Sequence, residues 1–381
     1  MPKQDHQPGR TGPLAFLAEW PTVLIWGVFA LLTALGGALK PDLIGEAGSL
    51  VVLGLIFVVM LMAVFRVVHH AECLAVIFGE PLGTLILTLS VIGIEVALIT
   101  AVMLTGENTP TLARDTMFSV LMIVLNGLVG LSLLLGGLRH GLQVFNLSGA
   151  NAYLVVLLPV AITSLVLPRF TPSAPGGGLS NLQTVFQIVV SIALYGIFLL
   201  YQTVQNPNVF QQPAHDDDNA PEPMHHVRPK STGVHVLGLL LTLVPLVLMS
   251  KKLAVYVDFG IAQIGAPVAL GGFIVAIMIL TPEGLAALDA ARHNQQQRAV
   301  NICLGSALAT IGLTVPAVLT AAWIVDLPIE LGLSSSGVVI LALSLAISIV
   351  TFVGTRTNAL QGVVHLAVFL AYVILIFDGD F

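Results

Sequence analysis

Long runs of apolar residues, separated by short polar breaks, occupy the chain from residue 14 to residue 377. A helix that crosses the hydrocarbon core of a bilayer needs about 20 predominantly apolar residues. The chain contains eleven such runs, and glycine, proline and serine mark most of the breaks between them. The pattern therefore predicts an all-α polytopic membrane protein with about eleven transmembrane helices. The predicted spans are 14–37, 48–68, 82–105, 116–137, 151–168, 183–204, 234–250, 261–281, 299–324, 336–354 and 359–377.

The amino-acid composition also indicates a membrane protein. Of the 381 residues, 56% are hydrophobic and only 9% are charged, whereas roughly a quarter of an ordinary soluble domain is charged. Such a chain cannot cover a water-facing surface, so we expect the lipid bilayer to be its main partner. The net charge of −6 leaves no basic stripe for phosphates, and nucleic acid is not an expected partner.

The longest polar stretch, 205–233, separates six predicted helices from five. Its prolines, its histidines and the run Asp216–Asp218 favour a solvated linker, with a metal-sensing segment as the alternative. With the N-terminal tail, residues 1–13, placed inside, nine of the 14 lysines and arginines fall on the inner side and five on the outer side. Positive residues are enriched in cytoplasmic loops. We therefore expect a multi-pass protein of the cell inner membrane with a cytoplasmic N-terminus and linker.

A glycine and a glutamate recur at the same spacing in the two halves of the chain. Gly83 precedes Glu95 by twelve residues, and Gly271 precedes Glu283 by twelve residues. Both glutamates lie in or at the end of an apolar run. With the spacing carried forward, position 126 of the first half falls opposite position 310 of the second.

An arginine follows each glutamate, because Arg114 comes nineteen residues after Glu95 and Arg298 comes fifteen after Glu283. Each half contains five predicted helices, so a second copy would lie in the membrane upside down. Inverted repeats of this kind hold the ion site of many secondary transporters near the bilayer midplane. We therefore predict one N-terminal helix, 14–37, followed by two inverted five-helix repeats, 48–204 and 234–377.

A charged glutamate is energetically unfavourable at each of these two positions. A charged side chain at the centre of a membrane helix costs about 2.5–3.5 kcal/mol on insertion scales. Pro282, directly before Glu283, would also loosen its helix and free backbone carbonyls. The structural alternative is a protonated glutamate that is hydrogen-bonded to a neighbouring helix. The symmetric pairing of Glu95 with Glu283 favours an ion and proton site instead.

Two facing carboxylates offer four oxygens, and Ca²⁺ prefers six to eight oxygen ligands. Asn126, Ser306, Thr310 and Ser90 are the supporting ligands that we predict, with ordinary interhelical hydrogen bonding as the alternative for each. Apolar burial and a second nearby carboxylate both disfavour charge. The pair would therefore hold either one divalent cation or two protons. This predicts a cofactor-free cation/proton antiporter in which low pH inhibits cation binding.

Three further polar residues are candidates for a gate or a proton relay. His70 and Glu72 lie in the segment His69-His70-Ala71-Glu72, for which a position at the membrane boundary is the plainer expectation. Asp289, six residues after Glu283, marks either an ion exit path or the end of its helix.

The segment around the first glutamate resembles a known family. Glu72, in Ala71-Glu72-Cys73-Leu74-Ala75, is followed by Gly79 and Gly83, which is similar to the A-E-x-L-A-x-x-x-G-x-x-x-G approach to the first ion-binding repeat of proton/calcium exchangers in the cation/calcium antiporter superfamily. Glu95 stands where that family has its first-repeat glutamate. Glu283, with 305–307 (Gly-Ser-Ala) after it, resembles the second repeat. The amino-acid sequence around both glutamates is most similar to the bacterial ChaA-type branch of this family.

The resemblance implies that Glu95 and Glu283 bind Ca²⁺ and H⁺. The usual G-N-A-T-E reads V-I-G-I-E at 91–95, and the second copy reads L-T-P-E at 280–283, so an asparagine beside each site is missing. ChaA-type proteins are associated with Na⁺ and K⁺ as well as Ca²⁺. A Na⁺/H⁺ or K⁺/H⁺ antiporter that uses the same two glutamates is therefore the alternative.

Two other classes of function lack support in the sequence. The chain has no G-x-S-x-G or H-E-x-x-H motif of the kind that an intramembrane hydrolase or protease would need. It also lacks a filter loop or rings of charge, which are typical of ion channels. We therefore expect a secondary active transporter rather than an enzyme or a channel.

Overall fold

The computed structural model describes residues 19–79, 82–103, 110–171, 177–213 and 231–378. The predicted tail and most of the predicted linker, including its aspartate run, lie outside these ranges. Eleven long helices occur in the described part of the chain, in agreement with the eleven predicted. They are α1 (Trp20–Ala34), α2 (Pro41–Phe78), α3 (Leu82–Met103), α4 (Leu112–His140), α5 (Leu147–Phe170), α6 (Asn181–Gln205), α7 (Thr232–Ile264), α8 (Ala269–Arg292), α9 (Gln296–Val325), α10 (Ser335–Phe352) and α11 (Ala359–Asp378).

Nine of these helices, counted over the described residues, are long and apolar enough to cross a membrane. The remaining two, α1 and α3, contain the shorter apolar segments Trp20–Ala34 and Leu85–Thr100. The chain is thus a polytopic membrane protein, as its hydropathy pattern predicts.

Two helices are much longer than predicted. The span predicted at 48–68 lies in α2, which has 38 residues with a kink at Gly45 (φ 69°) near its start, and the span predicted at 234–250 is α7, which has 33 residues. The predicted start of the eighth helix at 261 is wrong, because α7 continues to Ile264 and α8 begins at Ala269. Lys251 and Lys252, counted above as loop residues, therefore lie inside α7. A 33-residue helix is about 50 Å long, so α2 and α7 exceed the hydrocarbon thickness.

Successive helices alternate in direction. The linker joins the end of α6 to the start of α7, and we call this side of the bundle the linker side and the opposite side the far side. On the linker side, a two-stranded antiparallel pair, β1 (Gln143–Val144) and β2 (Arg356–Thr357), ties the α4–α5 and α10–α11 connections together. A 3₁₀ turn, Pro207–Phe210, follows α6 on the same side.

The helices pack into two clusters with α3 and α8 between them. One buried cluster is formed mainly by α1, α2 and α7, and the other by α4, α5, α6, α9, α10 and α11. Each face of α3 contributes to a different cluster: Ile92 packs in the larger cluster and Ile94 in the smaller one. In α8, Leu280 and Ile279 divide in the same way. The two helices that carry Glu95 and Glu283 therefore lie at the boundary between the clusters.

Both α4 and α9 contain a π-helical turn, at Ile123–Leu128 and Thr310–Thr314 respectively. A π-turn interrupts the regular helical hydrogen bonding and often occurs at functional sites. The turns contain Asn126 and Thr310, the positions that the repeat spacing places opposite each other.

The last helix of each predicted repeat also begins alike. At the start of α6, Ser180 and Gln183 form reciprocal side chain-to-backbone hydrogen bonds, and Asn358 and Gln361 do the same at the start of α11. Such a capping box satisfies free N–H groups at a helix start. The internal repeat remains a prediction, and these equivalent features support it.

Candidate functional site

Glu95 lies on α3 with 3% of its surface exposed. Its Oε2 accepts hydrogen bonds from two hydroxyls of α9, Thr310 Oγ1 at 3.2 Å and Thr314 Oγ1 at 2.9 Å. Thr310 was predicted from the sequence, and Thr314 was not. The four-residue spacing of Thr314 from Thr310 was the available signal, because residues four apart lie on the same face of a helix.

Glu283 lies on α8, directly after Pro282. Proline has no N–H to donate to the carbonyl of Met278, four residues earlier, so this turn of α8 has a free backbone acceptor close to the glutamate. Within the described residues, Oε2 of Glu283 and Oε1 of Glu95 are buried and have no hydrogen-bond donor. The two carboxylates also interact electrostatically with each other.

Both glutamates line one cavity of about 390 Å³. The cavity lies between α3, α8 and α9 and extends along α2, α5 and α6 toward the linker side. Its other polar lining residues within the described part of the chain are Glu72, Thr88, Tyr153, Tyr195, Gln202, Arg298, Asn301, Ser306 and Thr310. This arrangement connects two buried carboxylates with one side of the bundle.

The four predicted supporting residues fall into two groups. Thr310 contacts Glu95, and Ser306 lines the same cavity. Asn126 is fully buried and donates through Nδ2 to Ser344 Oγ at 2.8 Å, so its amide is engaged with α10. Ser90 Oγ donates to the carbonyl of Ile86 at 2.7 Å, one turn earlier in its own helix. In this conformation the Nδ2 group of Asn126 and the hydroxyl of Ser90 donate to nearer acceptors and not to either glutamate. Oδ1 of Asn126 is buried and has no donor among the described residues.

His70 and Glu72 lie inside α2, within its last nine residues before the end at Phe78, and their position at the membrane boundary stays a prediction. His70 is fully buried, with Nδ1 3.2 Å from His235 Nδ1 and Nε2 3.3 Å from Glu19 Oε2. It joins α1, α2 and α7 and does not line the cavity. Glu72, two residues later, does line it.

Asp289 lies near the end of α8. It is 66% exposed and lies 3.4 Å from His293 Nδ1. It is not among the described residues that line the cavity, and its role on an ion exit path stays a prediction.

The oxygen ligands available to a cation are few. Within the described residues, no group of three or more histidine, cysteine, aspartate or glutamate side chains could hold a metal ion. A cation at Glu95 and Glu283 would therefore need hydroxyl, carbonyl or water oxygens to complete its shell.

On the far side, described residues of three helix connections are hydrogen-bonded to one another. Arg114, near the start of α4, donates from Nε to Asp115 Oδ1 at 2.8 Å and from Nη1 to the carbonyl of Gly332 at 3.1 Å. Gly332 N also donates to the carbonyl of Gly177 at 2.9 Å, and Glu330 N donates to that of Pro110 at 3.0 Å. The connections before α4, α6 and α10 are thus joined.

Comparison with known proteins agrees with this architecture. A profile of the sodium/calcium exchanger protein family matches residues 48–204 and 234–377. The chain is 43% identical over 320 residues to the sodium-potassium/proton antiporter ChaA of Escherichia coli K12, covering 84% of this chain and 86% of that protein. It is 24% identical over 317 residues to a Ca²⁺/H⁺ antiporter of Aphanothece halophytica, covering 78% and 82%.

Two solved structures share the fold. The structure of native YfkE matches with a TM-score of 0.68 at 20% identity, over 93% of this chain and 99% of that one. The H⁺/Ca²⁺ exchanger CAX matches with a TM-score of 0.60 at 14% identity, over 93% and 88%. The family match extends over more than half of the sequence. The chain therefore belongs to the sodium/calcium exchanger protein family and is a membrane antiporter rather than an enzyme.

Proposed function

We propose that this antiporter exports Ca²⁺ in exchange for H⁺, and that Glu95 and Glu283 form the single site for which the two ions compete. The observation that carries the proposal is that two buried carboxylates, on helices at the boundary between the packing clusters, line the same cavity. Each retains a buried oxygen without a donor among the described residues.

Competition between Ca²⁺ and H⁺ follows from the charge of the two carboxylates. Two carboxylates in an apolar region are stable when one divalent cation or two protons neutralise them, and two bare negative charges there are costly. Thr310 and Thr314 hold one oxygen of Glu95 in place, so the other faces no competing donor. Release of protons then makes oxygens available to the cation, and release of the cation makes them available to protons.

Alternating access supplies the second requirement of an antiporter. The cavity reaches toward the linker side, while Arg114 and the joined loops close the far side. If the linker is cytoplasmic, as the distribution of lysine and arginine predicts, the site in this state takes up a cation from the cytoplasm. Closure of the linker side and opening of the far side would complete export across the inner membrane.

A second candidate is exchange of Na⁺ or K⁺ for H⁺ at the same glutamates. Its support is the 43% identity to a protein named as a sodium-potassium/proton antiporter, against 24% to one named as a Ca²⁺/H⁺ antiporter. The missing asparagines at 91–95 and 280–283 point in the same direction, since they leave fewer oxygens for a divalent ion.

The test is ion-driven proton release from liposomes that contain the purified protein and an acidic interior. Calcium, sodium, potassium or magnesium is added outside in turn while a dye reports the internal pH. Glu95→Gln and Glu283→Gln run beside Glu46→Gln, a matched control at an exposed position near the far-side start of α2.

We expect calcium to release protons in the parent protein and in Glu46→Gln, and neither site variant to respond. Proton release by sodium or potassium alone would replace the first candidate with the second. Undiminished exchange in either site variant, with normal behaviour in size-exclusion chromatography, would show that the shared-carboxylate mechanism is wrong.

A further inference from the structure

A positive charge stands in the cavity through which the cation would pass. Arg298, near the start of α9, lines the cavity and is exposed, and its Nη1 donates to the neutral Gln295 Oε1 at 3.3 Å. An unpaired guanidinium at that point would repel every incoming cation, because low-dielectric walls focus the field of a charge within a cleft.

Glu72 supplies the opposing charge from the other side of the cavity. Its carboxylate lies on α2, is exposed, and interacts electrostatically with Arg298. Within the described part of the chain, four of the residues that line the cavity carry formal charges: the two site glutamates, Glu72 and Arg298. The remaining lining residues, among them Thr88, Gln202 and Asn301, are neutral. Glu72 and Arg298 are therefore the charged lining residues, outside the two site glutamates, that contribute to the potential in the cavity.

We propose that Glu72 and Arg298 together set which cations reach the site, with Glu72 as the residue that admits divalent ions. This inference rests on the proposed function, in which the cavity is the path to Glu95 and Glu283. A change in local potential alters the concentration of an ion by a Boltzmann factor that contains its charge. The factor for a divalent ion is therefore the square of the factor for a monovalent ion.

This dependence gives a quantitative signature. If Glu72→Gln raises the apparent KM for Na⁺ by about threefold, the apparent KM for Ca²⁺ should rise by about ninefold. Arg298→Gln should lower both constants, and the fold-change for Ca²⁺ should again be the square of the fold-change for Na⁺. The double variant, which restores neutrality, should return both constants close to those of the parent. The maximal rate should change little in each case, because neither residue touches the bound ion.

The experiment uses the full chain in membrane vesicles that expose the linker side. Concentration dependences for Ca²⁺ and Na⁺ are measured at about 20 mM and about 300 mM ionic strength, since screening weakens such effects at high salt. If only one ion is transported, the inhibition constant of the other replaces its KM. Glu46→Gln, on the far side, is the control, and Glu72→Asp shows whether charge alone restores the parent behaviour.

The proposal is overturned if the constants for Ca²⁺ and Na⁺ shift by the same factor. It is also overturned if Glu72→Gln lowers only the maximal rate at both salt concentrations, which is the pattern of a structural role. If Glu72→Gln fails to fold, Arg298→Gln alone still tests the proposal, because this variant must lower the apparent KM for Ca²⁺ by a larger factor than that for Na⁺. Loss of exchange in Glu95→Gln with no effect at Glu72 would reject this inference and leave the proposed function standing.

Discussion

Arg114 and Arg298 follow the two site glutamates at similar distances along the chain, yet their surroundings differ. Arg114 is 8% exposed and is held by Asp115 and by the carbonyl of Gly332. Arg298 is exposed, and the hydrogen bond of its guanidinium goes to the amide of Gln295. The first lies at the start of α4 on the closed far side, and the second at the start of α9 on the open linker side.

If the two halves are the inverted repeats that the sequence predicts, the difference between the two arginines follows from the conformational state of the molecule. Two inverted copies in identical conformations would make both entrances alike. Here the far entrance is closely packed: a Cβ at Gly272 of α8 would lie 2.8 Å from the backbone nitrogen of Thr116 in α4. Movement to the opposite state would then bury Arg298 and expose Arg114.

The largest expected effect comes from removal of the buried arginine. Arg114→Ala leaves Asp115 buried at 6% exposure without its partner, and loss of one member of a buried ion pair costs about 3–5 kcal/mol. Thermal unfolding in detergent should therefore show a markedly lower Tm. Arg298→Ala, at the exposed equivalent, should stay within about 0.5 kcal/mol of the parent. Similar Tm losses for both variants would contradict the comparison.

Thiol accessibility tests the open and closed sides directly. The repeat spacing pairs Ser306, which lines the cavity, with Met122, which is fully buried. In a background without Cys73 and Cys303, which are also buried, Ser306→Cys should react from the linker side with a water-soluble maleimide. We expect the rate to be at least about tenfold above that of Met122→Cys, because a buried thiol exposes no thiolate to the reagent. Equal rates would mean that the two sides are equally open.

The third prediction concerns the hydroxyls that hold Glu95. Thr314→Val removes the 2.9 Å hydrogen bond at nearly constant volume, and a hydrogen bond contributes about 0.5–1.5 kcal/mol. We expect the apparent KM for the transported cation to rise about two- to tenfold, and Thr314→Ser to restore it. Asn126→Leu, which breaks the contact with Ser344 instead, should lower stability more than it alters KM. An unchanged KM in Thr314→Val would show that this hydroxyl does not position the carboxylate.

Much of the fold could be predicted because hydrocarbon thickness imposes one strong pattern on the sequence. All eleven helices and the polar break before α7 follow from it. The C-terminal end of α7 at Ile264 could not be predicted in this way, since the charges of Lys251 and Lys252 are typical of a loop. Lysine at a membrane boundary keeps its ammonium group in water while its stem covers apolar surface, so it does not end a helix.

The site could be predicted in part. The equal spacing of Gly83–Glu95 and Gly271–Glu283 indicated the glutamates, and the same offset led to Thr310. Thr314 could have been predicted from its spacing of four residues after Thr310, whereas the π-helical turn at Thr310–Thr314 has no sequence pattern of its own. Asn126 was expected beside the glutamates but bonds to Ser344, because its partner depends on how α10 packs and on which side is open.

The smallest expected effect lies at an ion pair on the edge of the linker side. Glu19, just before α1, accepts from Arg66 Nε at 2.9 Å and lies 3.3 Å from His70 Nε2. Burial raises the pKa of Glu19, but the hydrogen bond and charge of Arg66, together with those of His70, outweigh it and hold the pKa below its ordinary value. Unlike the Arg114–Asp115 pair, this one is partly exposed, so Glu19→Gln should cost about 1 kcal/mol or less at pH 7.

A carboxyl group whose pKa is lowered on folding stabilises the protein above its unfolded pKa, about 4.3 for glutamate, and loses that contribution as the pH falls through the folded value. The difference in Tm between the parent and Glu19→Gln should therefore be constant from pH 8 to about pH 5 and shrink below about pH 4. Unfolding scans across that range provide the measurement. A difference that persists at pH 3 would mean that Glu19 stabilises α1 through packing or neutral hydrogen bonds, and the ion pair would then not be what fastens α1 to the open side.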